Sequence, residues 1–353
     1  MKIAICWMGY SGYMAACWRA LCACRGLQVR IYSPETRYPY APEILEKLPI
    51  QIFTAEELSA GKLVRAVVQQ GPDLIFVSGF SYKPFRQLLQ VRELKTAKVV
   101  MCMDTAWRGQ LRQFAARVVY APYVRRTSAV VVAGERGRQY ARYLGYAANR
   151  IFGSTYGCDY ARFSPAMAVR RKAPEGWPRS FVYIGRYAEI KGLDTLLEAY
   201  RRYRRARQDA WPLHCFGNGD LRDQLLQTEG VVDHGFLQPQ ELQEELSRHG
   251  AMILPSKHEP WGVALAEAAA SGLPVICSDA CCSGLDIVRQ LYDGLVFAAG
   301  DAGQLTRAML YLHDHRDSLP EFGARAQVYA QAYSAENWAR RWEWIIENVM
   351  ESE

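Results

Sequence analysis

The chain has 353 residues, half of them hydrophobic and 22% charged, with 43 Lys and Arg against 36 Asp and Glu for a net charge of +7. That length exceeds what one hydrophobic core usually supports, so two domains are expected, and the apolar share excludes a disordered or collagen-like chain. No stretch approaches the ~18 uninterrupted apolar residues of a membrane-spanning helix, and the basic balance fits a phosphate-rich ligand, a nucleic acid or an anionic membrane face without choosing among them.

The first residues, Met1-Lys2-Ile3-Ala4-Ile5-Cys6-Trp7, resemble a secretory leader in outline. Gly9, Tyr10, Ser11 and Arg19 interrupt the apolar run, so a buried strand over 2–7 is the better reading. A Gly-containing loop over 8–12 and a helix over 13–25 follow, the helix carrying Met14, Trp18, Leu21 and Cys22 at three- and four-residue spacing. After Gly26 comes a strand over 28–32, and the apolar runs 74–78, 97–103 and 129–133 repeat the theme with helical stretches between. Strands alternating with helices indicate a parallel sheet covered on both faces. The ten cysteines include no C-x-x-C pair and no zinc-like cluster with histidine, so reduced core thiols in a cytosolic protein are expected, with no metal.

Between residues 160 and 180, Pro165, Arg170, Arg171, Lys172, Pro174, Gly176 and Pro178 make a turn-rich segment that reads as a linker. A second alternation follows: strands over 181–184, 213–216, 251–254 and 274–277, and helices over 193–207 and 263–270. The tail from 335 to 350 is helical, with Trp338, Trp342, Ile345, Ile346 and Val349 on its apolar side. Two doubly wound domains separated by a cleft are the expected α/β architecture, with boundaries at 1–165, 166–334 and 335–353.

Polar residues gather where strands of the second half end. Gly185, Arg186 and Lys191 follow one strand, where two fixed cations suit a diphosphate that gains charge as it leaves, although a loop of solvated charges has the same composition. Gly217-Asn218-Gly219-Asp220 is weak evidence, since a tight turn explains it equally well. The strongest segment is Pro255-Ser256-Lys257-His258-Glu259-Pro260-Trp261-Gly262-Val263-Ala264-Leu265-Ala266-Glu267. Pro260 suits a first helical position, which leaves Glu259 in the loop and Glu267 in the helix, ~12 Å apart. The helix N-terminus between them favours phosphate.

These motifs, with Tyr156-Gly157-Cys158-Asp159, Phe163-Ser164-Pro165, Gly235-Phe236-Leu237 and Gly272-Leu273-Pro274-Val275, resemble the retaining GT-B glycosyltransferases of family four over about half the chain. The resemblance implies that the first domain receives an acceptor and the second a nucleotide diphosphate-sugar, with the last helix crossing back to the first domain. It implies Arg186 and Lys191 on the donor diphosphate, Glu259 on hydroxyls of the transferred sugar, and Glu267 on the ribose. Backbone at Phe236 and Leu237 would meet the base, and the amides of Trp261, Gly262 and Val263 the sugar and phosphates; Trp261 replaces the usual Phe as an aromatic wall. In the first half, Gly12 is the implied phosphate-approaching glycine. No histidine occurs before His214, and Asp104 stands where the family's histidine is expected, or else caps the following turn. A donor lacking the usual hydroxymethyl contact, as a deoxy sugar or pentose does, would suit that substitution.

The implied activity is a metal-independent hexosyl or pentosyl transfer to a sugar, glycan or lipid-linked acceptor, with no cofactor beyond the donor substrate. A nucleotide-sugar epimerase or hydrolase, or a silent sugar-nucleotide binder, are the competing readings; a dinucleotide dehydrogenase is poorer because the first loop lacks G-x-G-x-x-G. The crowd Arg201, Arg202, Arg204, Arg205 and Arg207 reads as a solvated helix end. Lys83, Arg86, Arg108, Arg112, Arg117, Arg125 and Arg126, interleaved with aromatics, suggest contact with an anionic membrane surface or a lipid-phosphate acceptor, with solvated surface as the plain alternative; the expected location is cytoplasmic, peripheral on the inner membrane face. No nucleic-acid-binding module accompanies the charge.

Overall fold

The computed structural model describes every residue except 37, 174 and 353. The chain divides into two units, Met1–Gly157 with Ala335–Glu353, and Cys158–Ser334.

The first unit is built on seven parallel strands: β1 (Lys2–Cys6), β2 (Gln28–Pro34), β3 (Ile50–Phe53), β4 (Leu74–Ser78), β5 (Lys98–Met103), β6 (Ala129–Val132) and β7 (Ile151–Gly153), in the spatial order β3-β2-β1-β4-β5-β6-β7. Alternation along β1 and β4 splits the core in two. Ile3, Ile5, Leu74 and Phe76 face Trp18, Leu21, Trp338 and Trp342, whereas Ala4, Cys6, Ile75 and Val77 face Leu63, Val67 and Phe85. Burial on both faces explains why these strands read as continuous apolar runs.

The last helix, Ala335–Glu351, belongs to this first unit and packs on the helix Gly12–Cys22. Trp342 stacks on Phe76 at 4.3 Å and on Trp338 at 4.2 Å. The two indole N–H groups donate to the carbonyls of Ser154 at 2.9 Å and Thr155 at 3.2 Å, so neither ring buries an unpaired donor. The Lys98 ammonium donates to the carbonyls of Val349 and Met350, closing the end of the helix with a cation where its dipole is negative. Trp344 points outward instead of joining this packing, edge-on to Phe152.

The second unit has six parallel strands: β8 (Phe181–Ile184), β9 (Leu213–Phe216), β10 (Val231–Gly235), β11 (Ala251–Leu254), β12 (Val275–Ser278) and β13 (Gly294–Phe297), in the order β10-β9-β8-β11-β12-β13. The expected linker is not one. Residues 160–171 form two short helices, Tyr160–Phe163 and Pro165–Arg171, and the chain divides at Gly157/Cys158 instead of 165/166. Phe163, Ala166 and Met167 are buried, and Arg170 inserts its guanidinium among the carbonyls of Leu246, His249, Ser271 and Gly272. A buried arginine that fastens four carbonyls is indistinguishable, in composition, from a solvated linker cation. Pro174 of the same expected linker lies outside the described residues. Among the described residues the ten cysteines form no disulfide, and Arg201, Arg202, Arg204 and Arg207 meet Thr228, Glu198, Glu229 and Asp314 at the surface.

Trp342→Ala removes a fully buried indole from the face shared by β1, β4 and the last helix. A loss of ~3–5 kcal/mol is expected, read as a lowered midpoint in chemical denaturation.

Candidate functional site

The order of the second sheet reverses between β8 and β11: successive strands run outward to β9 and β10 on one side and to β12 and β13 on the other. Loops leaving β8 and β11 therefore diverge over opposite faces, which opens a crevice at their carboxyl ends. The loop after β8 carries Gly185, Arg186 and Lys191, and that after β11 carries Glu259, Trp261 and Gly262.

The two loops are fastened by backbone. The N–H groups of Lys257 and His258 donate to the Ile190 carbonyl at 3.0 and 3.2 Å. Gly192, at φ 70°, caps the helix Leu193–Ala206, and a Cβ there would lie 2.0 Å from the Pro255 carbonyl oxygen. Any side chain at 192 would push the loops apart. Held this way, the Lys191 Nζ sits 2.6 Å from Glu259 Oε2, with side chains 25% and 13% exposed. Ser256 Oγ donates to the same carboxylate oxygen at 3.2 Å, and Ser278 Oγ fixes the Ser256 carbonyl at 2.5 Å. Arg186 is exposed. Its carbonyl accepts from the Tyr183 hydroxyl at 2.8 Å, which orients the loop while the guanidinium makes no ion pair among the described residues.

Pro260 does not open the next helix. That helix is Val263–Ala270, and Gly262, at φ 95°, is its N-cap. A Cβ on Gly262 would come within 2.8 Å of Cys281 Sγ and 3.0 Å of Glu259 Cγ, so this glycine lets the chain turn tightly beneath the carboxylate. The Trp261 carbonyl accepts the Ser283 N–H at 2.9 Å and the Gly262 carbonyl accepts the Ser283 hydroxyl at 3.1 Å, anchoring the turn to the β12 loop. The Trp261 ring is buried against Tyr333, at 5.8 Å, so it supports the turn from within instead of walling an open site.

Glu267 has a different setting. It is half-buried beside the Asp159–Arg162 pair, joined at 2.8 Å. Loss of hydration pushes its carboxyl up to about 8, the Asp159 charge adding to the shift and Arg162 opposing it.

The segment Gly235-Phe236-Leu237 is positioned by residues the sequence did not announce. Asp233 accepts from the Tyr187 hydroxyl at 2.8 Å, the Gly235 N–H at 2.9 Å and Arg222 Nε at 2.7 Å. Burial alone would raise this carboxyl, and the three donors more than reverse it, holding it below its usual range. Gly217 and Gly219 bring the next loop against the first, since Cβ atoms there would lie 2.0 Å from the Gly185 carbonyl and 2.5 Å from that of Tyr187. The Gly-x-Gly pair is thus a close-approach requirement and not only a turn.

Gly12 and Asp104 lie in the first unit. Gly12 is the first residue of its helix, which the Ser11 hydroxyl caps, while the left-handed turn before it falls on Gly9 at φ 77°. Asp104 follows β5 and accepts a hydrogen bond from the Tyr156 hydroxyl at 3.0 Å, so it binds that phenol and not the turn after it. Tyr156 packs edge-on to Trp7 and Tyr13; burial and the Asp104 charge raise its hydroxyl well above its ordinary range. Among the described residues, no three His, Cys, Asp or Glu are grouped to hold a metal ion.

A carboxyl raised from about 4.5 to about 8 costs the folded state progressively more across the interval where only the unfolded chain is ionised. Its contribution is nil at low pH, and stability falls as pH climbs through that window and levels off above it. Glu267→Gln should therefore gain stability relative to the parent between pH 5 and pH 8, as read from denaturation midpoints at about those two values.

Residues 178–315 match the family model described as glycosyl transferases group 1. An exopolysaccharide phosphotransferase of Streptomyces coelicolor is 27% identical over 278 residues, 74% of this chain and 27% of that protein. An O-antigen chain mannosyltransferase B of Escherichia coli is 29% identical over 210 residues, 56% of this chain and 54% of that one. The chain thus spans 27% and 54% of the length of these two curated relatives. Among solved structures, Anabaena HepE in complex with UDP and glucose superposes with a TM-score of 0.75 at 17% identity, covering 98% of this chain and 99% of that one, which shows a common fold. The chain has the GT-B fold, and its second unit resembles the group 1 glycosyl transferases over residues 178–315.

Proposed function

We propose that the chain is a retaining glycosyltransferase that moves a sugar from a nucleotide diphosphate-sugar to a hydroxyl acceptor, in the synthesis of cell-surface polysaccharide, lipopolysaccharide or glycolipid. The observation that carries this reading is the Lys191–Glu259 contact at the point where strand order reverses, with Arg186 on the same loop. The group 1 match over the same residues supports it, as does the presence of UDP and glucose in the HepE complex.

The Lys191 ammonium and the Glu259 carboxylate neutralise one another at 2.6 Å. A diphosphate offers Lys191 oxygens that carry more charge than one carboxylate, and its arrival exchanges one ion pair for another. Glu259 is then released to accept hydrogen bonds from hydroxyls of the sugar, still steadied by Ser256. Arg186 and Lys191 stabilise the charge that collects on the departing diphosphate, which is strongest in the transition state and so accelerates the bond-breaking step. The acceptor hydroxyl attacks from the face that the diphosphate leaves, and a diphosphate oxygen takes its proton. Glu267 accepts the ribose hydroxyls, and backbone at Phe236 and Leu237 meets the base. The reading needs no metal and no cofactor beyond the donor. It puts the enzyme in the cytoplasm at the inner membrane face, acting on a sugar, glycan or lipid-linked acceptor.

Lys191→Ala should lower kcat ~10²–10³-fold. Its nucleotide binding should stay measurable by thermal shift across UDP, GDP and ADP, since Arg186 remains. Near-normal turnover in that variant would defeat the assignment. Incubation with donor alone separates the competing enzymes, because a hydrolase or epimerase releases free sugar or an epimer without any acceptor.

A further inference from the structure

We propose that the outward face of the helix Leu111–Val119, in the first unit, is a docking surface for an anionic lipid bilayer. A surface helix ordinarily turns its apolar stripe inward. This one does the reverse. Its buried residues are Gln113 and Ala116, and the Gln113 amide is fixed by donating to the Ala106 carbonyl at 2.8 Å and accepting the Arg108 N–H at 2.9 Å. On the outside, Leu111 is 88% exposed, Val118 78%, Val119 62% and Phe114 45%.

At about 100° per residue, Phe114, Val118, Leu111, Ala115 and Val119 follow one another around an arc of ~140° with no polar side chain among them. Arg117 borders the arc on one side and Arg112 on the other. Arg117 donates to the Tyr143 carbonyl at 3.2 Å with its guanidinium over the Tyr143 ring, which holds the charge beside the arc. Phe114 is braced edge-on by Trp107 at 5.3 Å and Tyr143 at 5.6 Å, so its ring is kept at the surface.

Along this segment of the chain the charge is of one sign. Between Asp104 and Glu135 the chain has no carboxylate, while Arg108, Arg112, Arg117, Arg125 and Arg126 all fall there. The first four are exposed. A second copy of the chain would set these arginines against their own kind, which opposes self-association through this face. A bilayer with anionic headgroups satisfies both halves of the pattern: headgroup phosphates meet the arginines, and the acyl boundary takes the apolar arc. The assignment deepens the peripheral-membrane part of the function proposed above and rests on it only for its biological setting, since lipid binding is read without turnover.

The test is co-sedimentation of the full chain with phosphatidylcholine vesicles, with and without about 30% phosphatidylglycerol, at low and high salt. Binding is expected to require the anionic lipid and to weaken with salt. Leu111→Asp/Val118→Asp should lower the partition coefficient at least about tenfold, and Arg112→Gln/Arg125→Gln should remove the preference for anionic lipid. All four positions are exposed, so thermal melts and nucleotide-induced shifts should match the parent, which keeps failure here distinct from failure of the transferase reading. Equal binding to neutral and anionic vesicles, binding unchanged in the Asp variants, or no binding by the parent overturns the proposal. A dimer in sedimentation velocity that Val118→Asp dissolves also overturns it, in favour of an interface between copies.

Discussion

The candidate site depends on one place where two backbones nearly touch. The Pro255 carbonyl at the end of β11 stands where a Cβ on residue 192 would be, so Gly192 is required there for steric reasons before any question of chemistry arises. With that contact made, Ile190 accepts two N–H groups from the opposite loop, and Lys191 is delivered to Glu259. The partly buried pair is then steadied by a serine whose own carbonyl is tied to the neighbouring strand. Each later feature inherits its position from that approach. Gly217 and Gly219 extend the device to the next loop, and Gly262 repeats it below Glu259. The site is assembled by removing side chains from a few positions as much as by supplying charged ones elsewhere.

The central strands of both sheets were legible from the chain because they are buried on two faces and read as unbroken apolar runs. The four strands that escaped notice, β3, β7, β10 and β13, are the outermost strand on each side of each sheet. β7 has only three residues, and β10 is the half-exposed sequence Val231-Val232-Asp233-His234-Gly235. An edge strand pairs on one side alone and tolerates a short or polar sequence, so β7 and β10 resemble loops in composition. The misread linker has the opposite cause: Arg170 and its neighbours look solvated, yet their partners are carbonyls far along the chain.

Site residues divide in the same way. Those in contiguous motifs, such as Gly185, Arg186 and Lys191 or Glu259 through Gly262, could be picked out because their spacing along the chain reflects one loop. The roles of Asp233, Tyr187 and Tyr156 could not, since each acts through a partner on another element. Glu267 was visible by position, but its raised carboxyl comes first from burial and then from the charge of Asp159, 108 residues away in sequence. Pairwise distance is what turns these residue types into a chemical setting, and distance between remote segments is not written in a single sequence.

The last helix bears on how the chain acquires its shape during synthesis. Trp338 and Trp342 complete the core beneath β1 and β4, and Lys98 grips the helix end from β5. A ribosome delivers those residues only after the whole of Cys158–Ser334 has emerged. The second unit, continuous in sequence, can close on itself while the first still exposes Ile5, Trp18 and Phe76. The unit begun first is therefore finished last, and for that interval the apolar face beneath β1 and β4 is open to chaperones and to aggregation.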